Sequence, residues 1–515
     1  MDIKYFEKNA NNDTLFNQSS LLSNVDFFDS SSLDHYKEIT ELGLNTLIKT
    51  VKETSHPNSG ISPEELKNAF KNIDLDSPLI DINDVVDELD ELYLKHAVYF
   101  HHKDYLAHLN CPVLLTSLLA EQISCAINTA VETWDQSAGG TFIEQKVIDW
   151  LAYRIGYLKS ADGVFTTGGT QSNLMALLLA REQCSTKLDD TKKASLPTNT
   201  SKFRILCSEY SHYSIQKAAF VLGLGQEAVI SVPANAQRQM DPTALSSTLA
   251  SLVEQGLIPM AVVATAGTTD FGSIDPIEEI ASLCQQYQCW LHVDAAYGGV
   301  LLISNKFPHL LKSIEQADSV SIDFHKSFFQ PLCCSALMVS NGQSLSHLTY
   351  HADYLNPKHQ ADNGIPDLAN KSLQTSRRFD ALKIWLTLRA CGPEAIGKLF
   401  DDLILNTQEV YQRSQHLTDI KFVQEPQLTT LVFRFVDQRL TPTEQDTCNR
   451  AIREALSKSR RALIAATVVK GRQYLKITML NPQTPVNSIV AVFEAINTCG
   501  HSITEQLLTN VKQSA

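Results

Sequence analysis

Asp323, His325 and Lys326 fall within four residues of one another in the stretch "ADSVSIDFHKSFFQP", straight after the strand-like Val320 and Ile322. Lysine is among the residues least often buried. One at the end of an apolar run is either a solvated loop residue or an amine held for chemistry. Three more polar features sit in similar places. "TTGGTQSN" sets two glycines before a helix whose first turn holds Thr170, Gln171 and Ser172. Such a turn presents backbone N–H groups and the positive end of the helix dipole, which suits a phosphate. It also describes a plain tight turn with Thr170 as N-cap, and it is no Walker loop, because no G-K-[ST] follows. His212, in "CSEYSHYS", is either a helix-start residue or a catalyst. Asp294 closes the apolar strand of "HVDAAYGG". A carboxylate there has to be paired or hydrogen-bonded to be buried, and Ala295, Ala296, Gly298 and Gly299 leave room for something flat beside it.

Taken together these features supply what pyridoxal 5'-phosphate requires: a lysine for a Schiff base, an acid for the pyridine nitrogen and an anion site for the phosphate. Asp294 would keep the ring nitrogen protonated, because a nearby opposite charge favours the charged form. His212 could stack on one ring face while Ala296 packs on the other.

The elements that must position these residues are legible from about Gly163 onward. "GVFTT", "FRILCSE", "MAVVATA" and "CWLHVDAAY" read as strands, and "SNLMALLLAREQC" and "YSIQKAAFVLG" as helices between them. "DPTALSSTLASLVEQG" has Asp241 as N-cap, Pro242 at the first helical position and Gly256 as terminator. "DPIEEIASLCQQYQ" repeats that start at Asp275. Strand–helix alternation means a mostly parallel α/β sheet, whose ligands bind beyond the carboxyl ends of the strands. The interval from Asp294 to Lys326 leaves room for one helix between adjacent strands. "GLGQEA", from Gly223 to Ala228, fits a dinucleotide fingerprint but follows a helix and precedes a strand, the reverse of the required order.

Upstream, the pattern is helical and polar. Ser62 and Glu65 form a capping-box signature, and "VDELDELYLKHAVYF" repeats apolar positions at helical spacing. "STKLDDTKKASLPTNTSK", Ser185 to Lys202, reads as a surface insertion. After about Gly392, "TTLVFRFV" and "YLKITMLNP" are strands among helices, the pattern of a smaller α+β domain. The expected division is 1–110, a helical dimerisation segment; 111–392, the large cofactor-binding domain; and 393–515, the small domain.

The net charge of −14 argues against a nucleic-acid partner, which requires a basic patch. The N-terminus lacks the apolar core of a signal peptide, and no run reaches the length of a membrane span. The eleven cysteines match no zinc spacing. No metal and no membrane are expected, and free thiols point to the cytoplasm.

"GGTQSN", "SEYSHYS", "AGTTDFGSIDP", "HVDAAYGG" and "DFHK" occur in the order seen in the group II pyridoxal-phosphate-dependent amino-acid decarboxylases, which the chain resembles from about Tyr105 to Pro482. The resemblance implies the α/β fold of the PLP-dependent transferases (aspartate aminotransferase type, fold type I). It implies Lys326 as the Schiff-base lysine, Asp294 on the pyridine nitrogen and His212 over the ring. It also places Gly169, Thr170 and Gln171 at the phosphate, Ala296 under the ring and Thr269 near the cofactor hydroxyl, with Asp323 and His325 beside the lysine. A homodimer with active sites at the subunit interface is implied too.

"YLAHLNCP", "VETWDQSAGGTFIEQ", "HKSFFQPLCCSA" and "NKSLQTSRRFDALKIW" look most like the bacterial L-2,4-diaminobutyrate decarboxylases, which form 1,3-diaminopropane. A second substrate ammonium calls for a carboxylate, and Asp104, Asp135 and Asp353 are candidates that are equally surface acids. Glutamate and aromatic substrates, aldehyde formation or transamination with the same cofactor, and a non-catalytic structural or regulatory relative are the alternatives. Two departures from the family stand out. Many relatives carry asparagine where this chain has Asp323, and a carboxylate facing phosphate is repelled unless protonated or turned towards a cation. Many also carry a loop tyrosine that protonates the carbanion, yet no tyrosine lies between Leu355 and Arg378. His359 is the other proton donor there. Oxidative deamination competes in some relatives lacking that tyrosine.

Overall fold

The computed structural model describes residues 26–188 and 200–514. Two compact units divide the chain between Val98 and Tyr99. The first holds the helices Leu33–Glu53, Pro63–Ala69 and Ile82–Leu92. Ser62 caps the second of these in a complete capping box with Glu65, as the sequence predicts.

The second unit contains two sheets. Its strands are β1 (Tyr105–Leu106), β2 (Asp162–Thr166), β3 (Phe203–Ser208), β4 (Val229–Val232), β5 (Ile258–Thr265), β6 (Trp290–Asp294), β7 (Ser319–Asp323), β8 (Ser335–Val339), β9 (Ile420–Phe422), β10 (Thr430–Phe435), β11 (Leu463–Val469) and β12 (Arg472–Thr478). Seven of them form one sheet in the order β2-β8-β7-β6-β5-β3-β4, in which β8 alone runs antiparallel to its neighbours. Strand β5 explains why this sheet is buried on both faces. Ala261 and Val263 join the apolar layer containing Met175 and Leu177, while Val262 and Ala264 join the layer containing Leu291 and Val320 on the other side. Alternate side chains thus enter different cores, so the strand carries no polar face.

The smaller sheet has the order β1-β11-β12-β10-β9. Strand β1 pairs in parallel with β11, Tyr105 opposite Leu463. Residues 105–106, which the sequence assigns to the N-terminal segment, therefore belong to the C-terminal sheet. A two-residue strand has too little periodicity to announce its partner.

Two local expectations are corrected. The connection from β6 to β7 holds no α-helix but three 3-10 turns, Gly298–Ile303, Pro308–Leu311 and Ile314–Gln316. Gly298 explains the first of them. A Cβ there would lie 2.4 Å from the Ala266 carbonyl oxygen, so the chain packs too close for a larger residue. Asp275 does not cap the helix Ile277–Tyr287. Its carboxylate accepts the backbone N–H groups of Met240 and Thr265, at 2.7 and 2.8 Å, and so joins a loop to β5. By contrast Asp241 does cap Pro242–Glu254. The stretch "GLGQEA" lies between the helix Ser214–Val221 and β4, as the order of elements requires. Most of the insertion from Ser185 to Lys202, residues 189–199, is outside the described residues.

Candidate active site

At the carboxyl ends of β2, β5, β6 and β7 lies a cavity of about 340 Å³. Gly169, Thr170, Gln171, His212, Thr269, Asp294, Ala296, Asp323, His325 and Lys326 all line it. Residues spread over more than half of the large sheet's sequence thus converge because each lies at a strand end or in the loop or helix start that follows it.

Lys326 sits in the short helix Phe324–Ser327, directly after β7. Its Nζ lies 2.9 Å from Asp323 Oδ2. Burial opposes the ammonium form, but Asp323 and then Asp294 outweigh it and hold the lysine pKa above its ordinary value. For Asp323 burial pushes the carboxyl up; Lys326, His325 and the Ser335 hydroxyl together prevail and hold it below the ordinary value. The aspartate at this position is therefore a carboxylate turned to a cation. Gly169 approaches the pair so closely that a Cβ would stand 3.2 Å from Asp323 Oδ2 and 3.3 Å from the Ala296 Cβ.

Asp294 ends β6 and is buried. Its Oδ2 accepts from Asn173 Nδ2 at 2.8 Å, and its Oδ1 accepts from the Ala296 N–H at 3.1 Å and lies 3.2 Å from the Ser321 hydroxyl. His212 Nδ1 lies 2.8 Å from Ser214 Oγ. Burial lowers the His212 pKa against the pull of Asp294, and the ring is neutral near pH 7. Gln171 turns back, its Oε1 accepting from the Thr167 N–H and hydroxyl at 2.9 and 2.8 Å. Thr269 faces the cavity from the "AGTT" loop, whose next residue, Asp270, pairs with Lys476 Nζ at 2.8 Å.

Sequence reasoning missed Asn173, His292 and Ser319. Asn173 and His292 carried a signal, each a polar residue inside an otherwise apolar segment, "SNLMALLL" and "CWLHVD". Tyr213 also lines the cavity. None of Asp104, Asp135 and Asp353 does: Asp104 pairs with Lys103 at 2.7 Å, and the other two are exposed. His359 is exposed on the helix Lys358–Asp362, away from the cavity lining.

The buried His292 gives a prediction about stability. Burial drives its pKa down from 6.5 to about 4, although Asp294 pulls the other way. A group that protonates more readily when unfolded destabilises the fold as pH falls from the unfolded towards the folded pKa. Stability should therefore drop by ~2 kcal/mol between pH 7 and pH 5 through this residue. Denaturation midpoints at the two pH values, compared with those of His292→Gln, isolate that share; equal pH dependence in both proteins would contradict it.

The description "Pyridoxal-dependent decarboxylase conserved domain" matches residues 63–436. The chain belongs to the pyridoxal-dependent decarboxylases. This decarboxylase is 38% identical over 408 residues to the L-2,4-diaminobutyrate decarboxylase of Acinetobacter baumannii, covering 78% of the chain and 80% of that protein. It is 36% identical over 472 residues to the L-2,4-diaminobutyrate decarboxylase of Rhizobium meliloti (strain 1021), covering 91% and 92%. Among solved structures it resembles the glutamate decarboxylase domain of the diaminobutyrate-pyruvate transaminase and L-2,4-diaminobutyrate decarboxylase from Vibrio parahaemolyticus. The identity is 34% and the TM-score 0.83, over 92% of this chain and 98% of that one. The decarboxylase is thus a pyridoxal-phosphate enzyme of fold type I.

The residues present fit that cofactor. A single amine, two buried carboxylates and two imidazoles line one cavity, and the close approach at Gly169 leaves a cradle that a Cβ would enter.

Proposed function

We propose that this decarboxylase removes the α-carboxylate of L-2,4-diaminobutyrate as carbon dioxide and releases 1,3-diaminopropane. One observation carries the chemistry: Lys326, Asp294 and His212, from separate strand ends, line a single cavity. The substrate is inferred from the activity named for both bacterial relatives.

Lys326 would hold the cofactor through Nζ, Asp294 would face its ring nitrogen, and His212 and Ala296 would cover the two faces. Gly169 and Thr170 would meet the phosphate with first-turn N–H groups, and Gln171 would lie beside them, its own N–H donated to the Gly168 carbonyl at 3.0 Å. Thr269 would lie near the ring hydroxyl. The chemistry pyridoxal phosphate supplies when bound is an electron sink for the pair left by the breaking Cα–carboxylate bond. Asp323 holds Lys326 as an ammonium whenever that amine is free, and His325, with Nε2 3.5 Å from Asp323 Oδ2, steadies the carboxylate. Asp294 is buried and His212 half-buried, which limits the access of water to the reacting face.

Purified enzyme offered diaminobutyrate, glutamate and aromatic amino acids should release carbon dioxide fastest from diaminobutyrate. Faster release from either alternative defeats the substrate assignment. A second reading, decarboxylation coupled to oxidative deamination, is motivated by the lack of tyrosine between Leu355 and Arg378; oxygen consumed in step with carbon dioxide would favour it.

We also propose a homodimer with the active site at the subunit interface. Leu115, Leu118, Leu119, Ile123 and Ile127 form an exposed apolar stripe on the helix Leu115–Ile127, the kind of surface that a partner covers. All eleven cysteines are free thiols, in keeping with a cytoplasmic setting. Among the described residues no helix is long and apolar enough to cross a membrane.

A further inference from the structure

A row of buried polar side chains runs through the apolar layer between the large sheet and the helix Gly169–Leu188. Strand alternation puts Trp290, His292 and Asp294 on one face of β6, and register pairs His292 with Ser319 and Asp294 with Ser321 on β7. Asn173, from the first turns of the helix, reaches into the same row. Polar groups placed there are stable only when each is satisfied. The hydrogen-bond distances let the whole row be followed proton by proton.

The indole N–H of Trp290 can only donate. Ser319 Oγ accepts it at 2.8 Å and keeps its own hydrogen to give to His292 Nδ1 at 2.9 Å. His292 is neutral, because burial lowers its pKa. With Nδ1 accepting, its hydrogen sits on Nε2 and is donated to Asn173 Oδ1 at 2.9 Å. The Asn173 amide then offers its two hydrogens to Asp294 Oδ2 at 2.8 Å and to Ser214 Oγ at 2.9 Å. Starting from the other end gives the same answer. A carboxylate only accepts, so Asn173 must present Nδ2 to Asp294 and Oδ1 to His292. Ser214, having accepted, donates to His212 Nδ1 at 2.8 Å, and its own N–H approaches the same nitrogen at 3.3 Å. No step in the row sets two donors or two acceptors against each other.

We propose that this row is a directed relay, anchored at Trp290, that fixes Asp294 as a pure acceptor and places the His212 hydrogen on Nε2. It rests on the reading of Asp294 and His212 as the groups flanking the cofactor ring. Trp290, Ser319, His292 and Asn173 are positioning residues in this scheme. They determine what the two flanking groups present without touching the cavity chemistry, Asn173 excepted, since it also lines the cavity. Loss of Ser319 would remove the hydroxyl donor to His292 Nδ1 and leave the His292 tautomer held from the Asn173 side alone.

The test uses the full chain labelled with 15N-histidine, both loaded with pyridoxal phosphate and freed of it. His292→Gln and His212→Gln identify the two signals. Nitrogen chemical shifts should report Nε2–H with bare Nδ1 at both residues. An Nδ1–H form at either one in the unsubstituted chain overturns the relay. Ser319→Ala should let the second tautomer at His292 become populated, because one of its two restraints is gone, and weaken equilibrium binding of pyridoxal phosphate by about tenfold, the scale of one lost hydrogen bond in a charged network. Ser319→Thr, which keeps the hydroxyl, should restore both. Binding unchanged within twofold in a folded Ser319→Ala protein also overturns it. A chain that binds no pyridoxal phosphate at all would defeat the proposed function instead, while the histidine shifts would still decide the relay.

Discussion

Lys326→Ala is expected to lower decarboxylase turnover by at least about a thousandfold, equivalent to roughly 4 kcal/mol of barrier. The size follows from the chemistry proposed for the residue. It is the amine that lies in the cavity with Asp294 and His212, and alanine cannot form or exchange a bond to a carbonyl. Alanine also strands the buried Asp323, which keeps only the Ser335 hydroxyl and His325 as partners. An uncompensated buried charge is itself destabilising by roughly 3–5 kcal/mol. Loss of activity alone would therefore not separate chemistry from folding. Lys326→Arg separates them, because the guanidinium keeps Asp323 paired while forming no cofactor bond. It should remain folded and equally inactive. Borohydride treatment followed by peptide mapping should place a phosphopyridoxyl group on residue 326 of the unsubstituted enzyme and on no residue of the arginine form. An adduct on a different lysine, or arginine enzyme active within tenfold of the parent, removes Lys326 from its role.

Asp323 and Asn173 show how far the sequence could be read. The strand ends were legible because each motif joined an apolar run to a polar cluster, and that pattern follows directly from a sheet buried on both faces. Asp323 was visible as an anomaly, and the two ways to tolerate it were already clear, protonation or a cation. Choosing between them required the 2.9 Å separation from Lys326 Nζ, which no spacing in the sequence encodes. Asn173 lay hidden for a different reason. Its partners, Asp294, His292 and Ser214, are far away in the chain, so its place in a helix full of leucines looked like a lapse in amphipathicity. The β6–β7 connection is long enough for a helix, and length alone does not tell a helix from turns. Turns were chosen by tight packing at Gly298, a tertiary constraint. The short β1 was missed since only pairing with β11 makes it a strand.

A second large effect is expected at a pair of residues that does not line the cavity. Glu144 and Arg377 form a buried bidentate pair: Arg377 Nη2 lies 2.8 Å from Glu144 Oε1 and Nη1 3.1 Å from Oε2. The pair does more than neutralise itself. Arg377 Nη1 donates to the Phe165 carbonyl at 3.1 Å, and the Phe165 N–H donates to Glu144 Oε1 at 3.2 Å. Phe165 lies on β2, three residues before Gly168, so the pair clamps the strand that delivers the glycine turn to the cavity. Glu144→Leu leaves a buried guanidinium without its counter-charge and should cost roughly 3–5 kcal/mol of stability. Arg377→Met should cost a similar amount by stranding the carboxylate. The two changes share one interaction, so they should not add. The double variant Glu144→Leu with Arg377→Met, which removes both charges at once, should be more stable than either single variant, because apolar residues of similar volume can replace a buried pair at little net cost. Denaturation midpoints of the four proteins measure the coupling directly. Single variants within about 1 kcal/mol of the parent, or strict additivity in the double, would show that the pair does not hold β2 in place.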